Sequence, residues 1–327
     1  MRTGKVKESV LKRSVLRQLH RKNMEDSPAS GEDAGVLFVP GNSEKNGIVA
    51  LQNPVEGWTL APKRAVYGAV NSLIASGAKP EAISLSVLMP EETEEARLKQ
   101  LMKQVDVLCK QEGIIVLSGH TAVSAHVDTL LLSVTALGRI NQGKRMSEKT
   151  GANCDLVALG TAGREGAALI AAEQEEMLLK RFAPSYLETA KHLYDDGSMK
   201  NAGDIIEKIH PLRVQNVREG GIFAGLWKIA SAGHTGISVD LKKIPIRQHT
   251  IEVCEYFQLN PYMLLSGGTM LLICENGATA ADAFQEAGIP AAVIGKTTGD
   301  NNRIIHYDEE VRFLEPPHMD EYYKTLK

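Results

Sequence analysis

Two kinds of residue in this chain are typed and spaced for chemistry: glycine-rich turns whose backbone N–H groups could hold an anion, and cysteine or histidine side chains that could bind a soft metal. The turn Gly160-Thr161-Ala162-Gly163-Arg164-Glu165-Gly166 follows a strand-like run, but its spacing is G-x-x-G-x-x-G. A dinucleotide site needs G-x-G-x-x-G and a P-loop needs a lysine after its last glycine, so a tight strand-to-helix turn is the better reading. A second glycine pair, Gly220-Gly221, opens an apolar helical stretch and follows Asn216 and Arg218. Its amides could hold a phosphate without any side chain, or the glycines could serve only close packing; both readings stay open. Arg164 and Arg218 are candidate phosphate partners, although arginines at such places are mostly exposed. Cys109, Cys154, Cys254 and Cys274 stand far apart, with no C-x-x-C pair, and read as reduced core thiols rather than zinc ligands.

The elements that must position these residues fit a globular α/β chain. Its 327 residues, 43% hydrophobic and 24% charged, suffice for two domains with their own cores. A net charge of −3 excludes the broad positive field that nucleic-acid binding needs. No export signal or stretch of about 18 apolar residues occurs, so no membrane association and a cytoplasmic location are expected. Leu11, Val15 and Leu19 predict a short amphipathic helix with a basic outer face. Strands are expected at 36–39 and 48–51, a helix through Val66, Val70, Leu73 and Ile74 that stops at Gly77, a strand through Ile83, Leu85 and Val87, and a helix through Leu98, Leu101, Val105 and Leu108. A strand at 114–117, a loop over Ser-Gly-His-Thr-Ala-Val-Ser-Ala-His and a strand at 129–137 complete the first half. The polar stretch 141–153 is the linker candidate, dividing the chain near Ser147 into domains 1–147 and 148–327. The second half offers a strand at 155–160, a helix at 167–179, a helix after Gly221, a strand at 237–241, a helix at 252–257, and strands at 270–274 and 291–295.

Read together and in order, the segments 3–13, 31–38, 68–90, 115–123, 214–230 and 244–271 resemble one superfamily. It comprises aminoimidazole ribonucleotide (AIR) synthetase, thiamine-monophosphate kinase, selenophosphate synthetase and the hydrogenase maturation factor HypE, and the HypE-like, AIR synthase-related branch fits best. The resemblance implies a PurM-like fold of two α/β domains. It further implies a homodimer in which the N-terminal domains build a shared β-barrel, and ATP or ADP in a cleft near that interface with magnesium bridging the phosphates.

The same resemblance names the residues. The family motif Gly-(Asp/Glu)-Asp-Ala is kept, with Glu32 beside Asp33, so Asp33 is the metal-ligand candidate. Thr-Thr-Asp has become Leu51-Gln52-Asn53, Asn-Asp-Leu has become Asn71-Ser72-Leu73, and Gly-Asp-Thr has become Gly119-His120-Thr121. In Asp-Val-Thr-x-Gly-Gly the aspartate position holds Asn216, ahead of Arg218, Gly220 and Gly221. Three of four acidic positions in the first domain are thus neutral or basic, a loss of about three negative charges where each magnesium brings two positive ones. Magnesium should bind poorly, while a nucleotide or phosphate ligand could still be held. His120 would favour a softer metal or an anion. HypE ends in a cysteine that carries a carbamoyl group; this sequence ends Glu-Tyr-Tyr-Lys-Thr-Leu-Lys, so carbamoyl dehydration is not expected. Two functions stay open. One is a nucleotide- or anion-binding homodimer with weak or absent Mg-ATP catalysis, in an accessory or maturation role beside a protein partner. The other is an ATP-dependent phosphoryl-transfer or dehydration enzyme with a remodelled site.

Overall fold

The computed structural model describes residues 6, 8–19, 34–38, 46–141 and 150–326. Glu32, Asp33 and the expected boundary at Ser147 lie outside them. Two sheets organise the chain. The first has five strands in the order β1-β2-β5-β3-β4, formed by Gly35–Phe38, Asn46–Glu56, Leu131–Asn141, Lys79–Met89 and Ile115–Val123 respectively. All its pairings are antiparallel except β3 with β4, which a crossover through α3 (Glu95–Glu112) makes parallel. β2 runs through Asn53 to Glu56, so the expected strand at 48–51 is longer than its apolar residues suggest.

The expected loop at Ser-Gly-His-Thr-Ala-Val is instead strand, because β4 is an edge element. Ile115, Leu117 and Val123 are all more than half exposed, so β4 lacks the alternation that marks a half-buried strand.

Helix α2 (Ala61–Ala75) is buried at every position from Ala65 to Ala75. Its small residues Ala61, Ala65, Gly68 and Ala69 let it lie between the first sheet and the second domain. Gly77 ends it with φ +79° while the amide of Ala78 returns to the carbonyl of Leu73 at 3.0 Å, the stop that the sequence predicts. The amphipathic N-terminal segment forms α1 (Glu8–Ser14) and a 3-10 turn, and Val15 and Leu19 stay exposed.

The second sheet has seven strands, β12-β11-β8-β10-β6-β9-β7, formed by Glu310–Phe313, Arg303–Tyr307, Gly236–Asp240, Ala291–Thr298, Asp155–Leu159, Thr269–Cys274 and Arg213–Val217. Alternation along β6 and β9 sorts the core. Leu156, Ala158, Leu271 and Ile273 face α8 (Gly221–Ala232). Val157, Leu159, Met270 and Leu272 join a core that also holds α4 (Arg164–Glu173) and continues into the first domain through α2. α5 (Glu175–Leu178), α6 (Pro184–Lys191), α7 (Lys200–Ile209), α9 (Gln248–Tyr256) and α10 (Gly277–Glu286) complete the chain. The expected helix at 167–179 is therefore two, α4 and α5. All four cysteines are buried and free. Among the described residues no helix is long and apolar enough to cross a membrane.

Candidate functional site

The seam between α2 and the β7–α8 connection gathers most of the residues at positions where the sequence resemblance implies acids. Asn53 lies on β2 between exposed Gln52 and Pro54, so its own side chain turns inward and is fully buried. Its Nδ2 donates to the carbonyls of Arg64 and Ala65 at 3.0 and 2.9 Å. Those acceptors fix the amide's orientation and leave Oδ1 without a partner. Asn71 bridges the domains: its Nδ2 donates to the carbonyl of Gly197 and its Oδ1 accepts from the amide of Met199, both at 2.8 Å. The hydroxyl of Ser72 donates to the carbonyl of Gly68 at 2.9 Å and accepts from Nδ2 of Asn216 at 2.8 Å. Asn216 is buried too, and its Oδ1 has no partner.

Cations surround this cluster. Nε and Cζ of Arg218 lie 3.1 and 3.0 Å from the point where a Cβ on Gly68 would stand, and Nδ2 of Asn53 lies 2.5 Å from it. Only glycine at 68 leaves that space. Nε of Arg64 donates to buried Glu165 at 3.2 Å, and the other oxygen of Glu165 accepts from the amide of Gly267 at 2.9 Å. Arg164 is buried rather than exposed, donating to the carbonyl of Leu193 at 2.9 Å and to Asp196. Burial pulls its guanidinium down to a pKa of about 10. Tyr194 lies among these groups. Burial and then Glu165 raise its phenol, against Arg218, Arg164 and Arg64.

The glycine turns are largely satisfied from within. The amide of Gly163 donates to the Ser266 hydroxyl at 2.7 Å and that of Gly166 to the carbonyl of Leu265 at 2.9 Å, so the 160–166 turn is the strand-to-helix connection expected. Gly221, at φ +64°, would drive a Cβ to 2.4 Å from the carbonyl oxygen of Tyr262, which satisfies the close-packing reading. Its amide returns to the carbonyl of Arg218 at 3.1 Å. The amide of Gly220 is taken at 2.6 Å by Asp320, a fully buried carboxyl on a C-terminal strap. Asp320 also accepts from the amides of Leu265 at 3.2 Å and Tyr322 at 2.9 Å. Burial still lifts its pKa to about 7, over the opposing pull of those amides. A phosphate at Gly220 would have to displace this carboxyl.

Gly119, His120 and Thr121 do not join the seam. His120 is in register with Ser86, Ser133 and Pro54 across the sheet. That places it three strand spacings, about 14 Å, from β2 and on the face opposite to Asn53.

The described donor set does not fit magnesium. Asn53 turns its N–H group to backbone carbonyls, Ser72 and Asn216 bond to each other, and neither orphaned amide oxygen carries charge to offset ion dehydration. Among the described residues no group of three or more His, Cys, Asp or Glu could hold a metal. The sequence reading missed Arg64, Tyr194 and Asp320, which belong to no glycine motif, and Glu165, which stands within the 160–166 turn; the packing of the chain brings them here.

Residues 31–140 match the N-terminal domain of AIR synthase related protein, and residues 151–308 match its C-terminal domain. The chain belongs to the AIR synthase related family. Within that family it is 24% identical over 326 residues, 92% of this chain and 90% of the relative, to a Methanocaldococcus jannaschii protein named for hydrogenase expression and formation. It is 26% identical to the carbamoyl dehydratase HypE of Rhodobacter capsulatus, over 73% of this chain and 70% of the relative. A chain of a solved HypE–HypF complex shares its fold with a TM-score of 0.76 at 18% identity, over 94% of this chain and all of that one. A HypE in complex with ATP does so at 0.68 and 17% identity, over 98% and 97%. The AIR synthase related architecture, two mixed α/β domains of PurM-like form, is the fold that the sequence resemblance implies.

Proposed function

We propose that this chain is a HypE-like nucleotide- or anion-binding protein with weak or absent Mg-ATP catalysis, working as a homodimer in an accessory or maturation role beside a protein partner. The observation that carries the reading is the seam itself. Positions where the family resemblance implies metal-holding acids are occupied by Asn53, Ser72 and Asn216, tied to backbone and to one another, beneath an arginine. The solved relatives that hold ATP, or AMPPCP with TMP, support a nucleotide as the ligand. The complex of HypE with HypF supports a protein partner. Exposed apolar residues along edge strand β4 support pairing with a second copy.

The test is calorimetric titration of purified protein with ATP and ADP, with and without magnesium, beside an ATP hydrolysis assay. Binding with turnover no faster than the buffer blank is expected. Magnesium-dependent hydrolysis that Asp33→Asn abolishes would instead establish the remodelled ATP-dependent enzyme.

A further inference from the structure

Among the described residues, Arg218 is the cation of the seam that no acid neutralises. Arg64 is held by Glu165 and Arg164 by Asp196, whereas among the described residues Arg218 pairs with no carboxylate. It is only half-buried, so a ligand can reach it. Its guanidinium fills the space over Gly68, beside Asn53 and two residues along the chain from Asn216. The two amide oxygens left without partners, Oδ1 of Asn53 and of Asn216, belong to these neighbours. Neutral amides around a guanidinium leave its charge uncancelled; carboxylates in the same positions would consume it. The neutral residues and the arginine therefore make sense together.

We propose that Arg218 is a built-in cation that takes the place of divalent metal at this seam, so that the seam binds a phosphate-bearing anion, of the nucleoside di- or triphosphate class, in metal-free form. The proposal rests on the anion-binding reading above and adds which charge holds the ligand. A guanidinium can meet phosphate oxygens with two parallel N–H groups, and the partly dry seam strengthens that contact over its value in water. No ion has to be dehydrated and carried in with the ligand, which removes the need for the acids that are missing.

The experiment is titration of the full chain with pyrophosphate, ADP and ATP, once in EDTA and once in excess magnesium. Binding in EDTA should be within about threefold of binding in magnesium. Arg218→Gln, which keeps bulk over Gly68 and removes the charge, should weaken binding in EDTA by about ten- to a hundredfold, the loss of one charge-assisted contact. Arg218→Lys should restore part of it. Asn216→Asp, which sets a carboxylate beside the guanidinium, should weaken binding as Arg218→Gln does. If Arg218→Gln does not fold, Arg218→Lys and Asn216→Asp still decide the matter. Binding that appears only with magnesium would overturn the proposal and leave the nucleotide reading standing. Unchanged affinity across the folded variants would place the anion elsewhere and overturn it as well. No binding in either buffer would sink both.

Discussion

Asn53, Ser72 and Asn216 on one side, and His120 on the other, all stand where the sequence resemblance implies acids, but in different surroundings. In the seam each substitute is buried, and its donors are matched to named acceptors at 2.8–3.4 Å. At the edge of the first sheet, Gly119 and His120 lie on a strand that is exposed in the unpaired chain, where water can serve any group. Loss of an acid in a dry place requires its neighbours to be rebuilt, because an unmatched polar group there costs about 1–3 kcal/mol. In a wet place it requires nothing. In the seam the donors are matched while Oδ1 of Asn53 and of Asn216 stay without partners; at His120 in the unpaired chain no matching is needed.

That contrast can be attacked at four points. The largest effect belongs to Asp320, whose carboxyl is lifted from 3.8 to about 7. The folded chain keeps this proton where the unfolded chain has lost it. The contribution is fully present below the unfolded value and is lost as pH rises through about 7, a change on the order of 4 kcal/mol. Urea midpoints should fall from pH 4.5 to 7.5 more steeply for the native chain than for Asp320→Asn; parallel slopes would show that the strap carboxyl is not coupled to folding. Next is Asn53→Asp. A carboxylate would face two backbone carbonyls about 3 Å away, and attraction to Arg218 offsets only part of that, so a loss of about 2–3 kcal/mol is expected. Magnesium with ATP should not restore the melting temperature; full rescue would mean that a metal site had merely been emptied. Gly68→Ala should cost about 1–3 kcal/mol by pushing Arg218 and Asn53 apart, read as a lower urea midpoint. Smallest is His120→Asp, within about 0.5 kcal/mol for the unpaired chain, by the same measurement.

Legibility in the sequence followed burial pattern. α2, α3 and β3 show regular apolar spacing because one side or more of each meets the core, and all three fall where expected. β4 was read partly as loop because both its faces are open. α6 and α7 went unassigned: each is a short helix with two buried residues, Leu187 and Ala190 in one, Ala202 and Ile206 in the other. In the site, motif positions single out Asn53, Ser72 and Asn216 as candidates, and the structure brings them together with Arg218. Arg164 was expected at the surface because nothing local announces the carbonyls of Leu193 and Gly268 that receive it. Asp320 was invisible for the same reason. Its three donors come from residues 220, 265 and 322, two of them remote in sequence.

Asn71 exchanges one donor and one acceptor with Gly197 and Met199, much as a residue does within a β-ladder. With the core running through α2 on either side, that two-point clamp removes a hinge between the lobes. On the proposed anion-binding reading, a ligand is then captured by local rearrangement of side chains, without lobe closure, and the radius of gyration in small-angle scattering is expected to be the same with and without nucleotide.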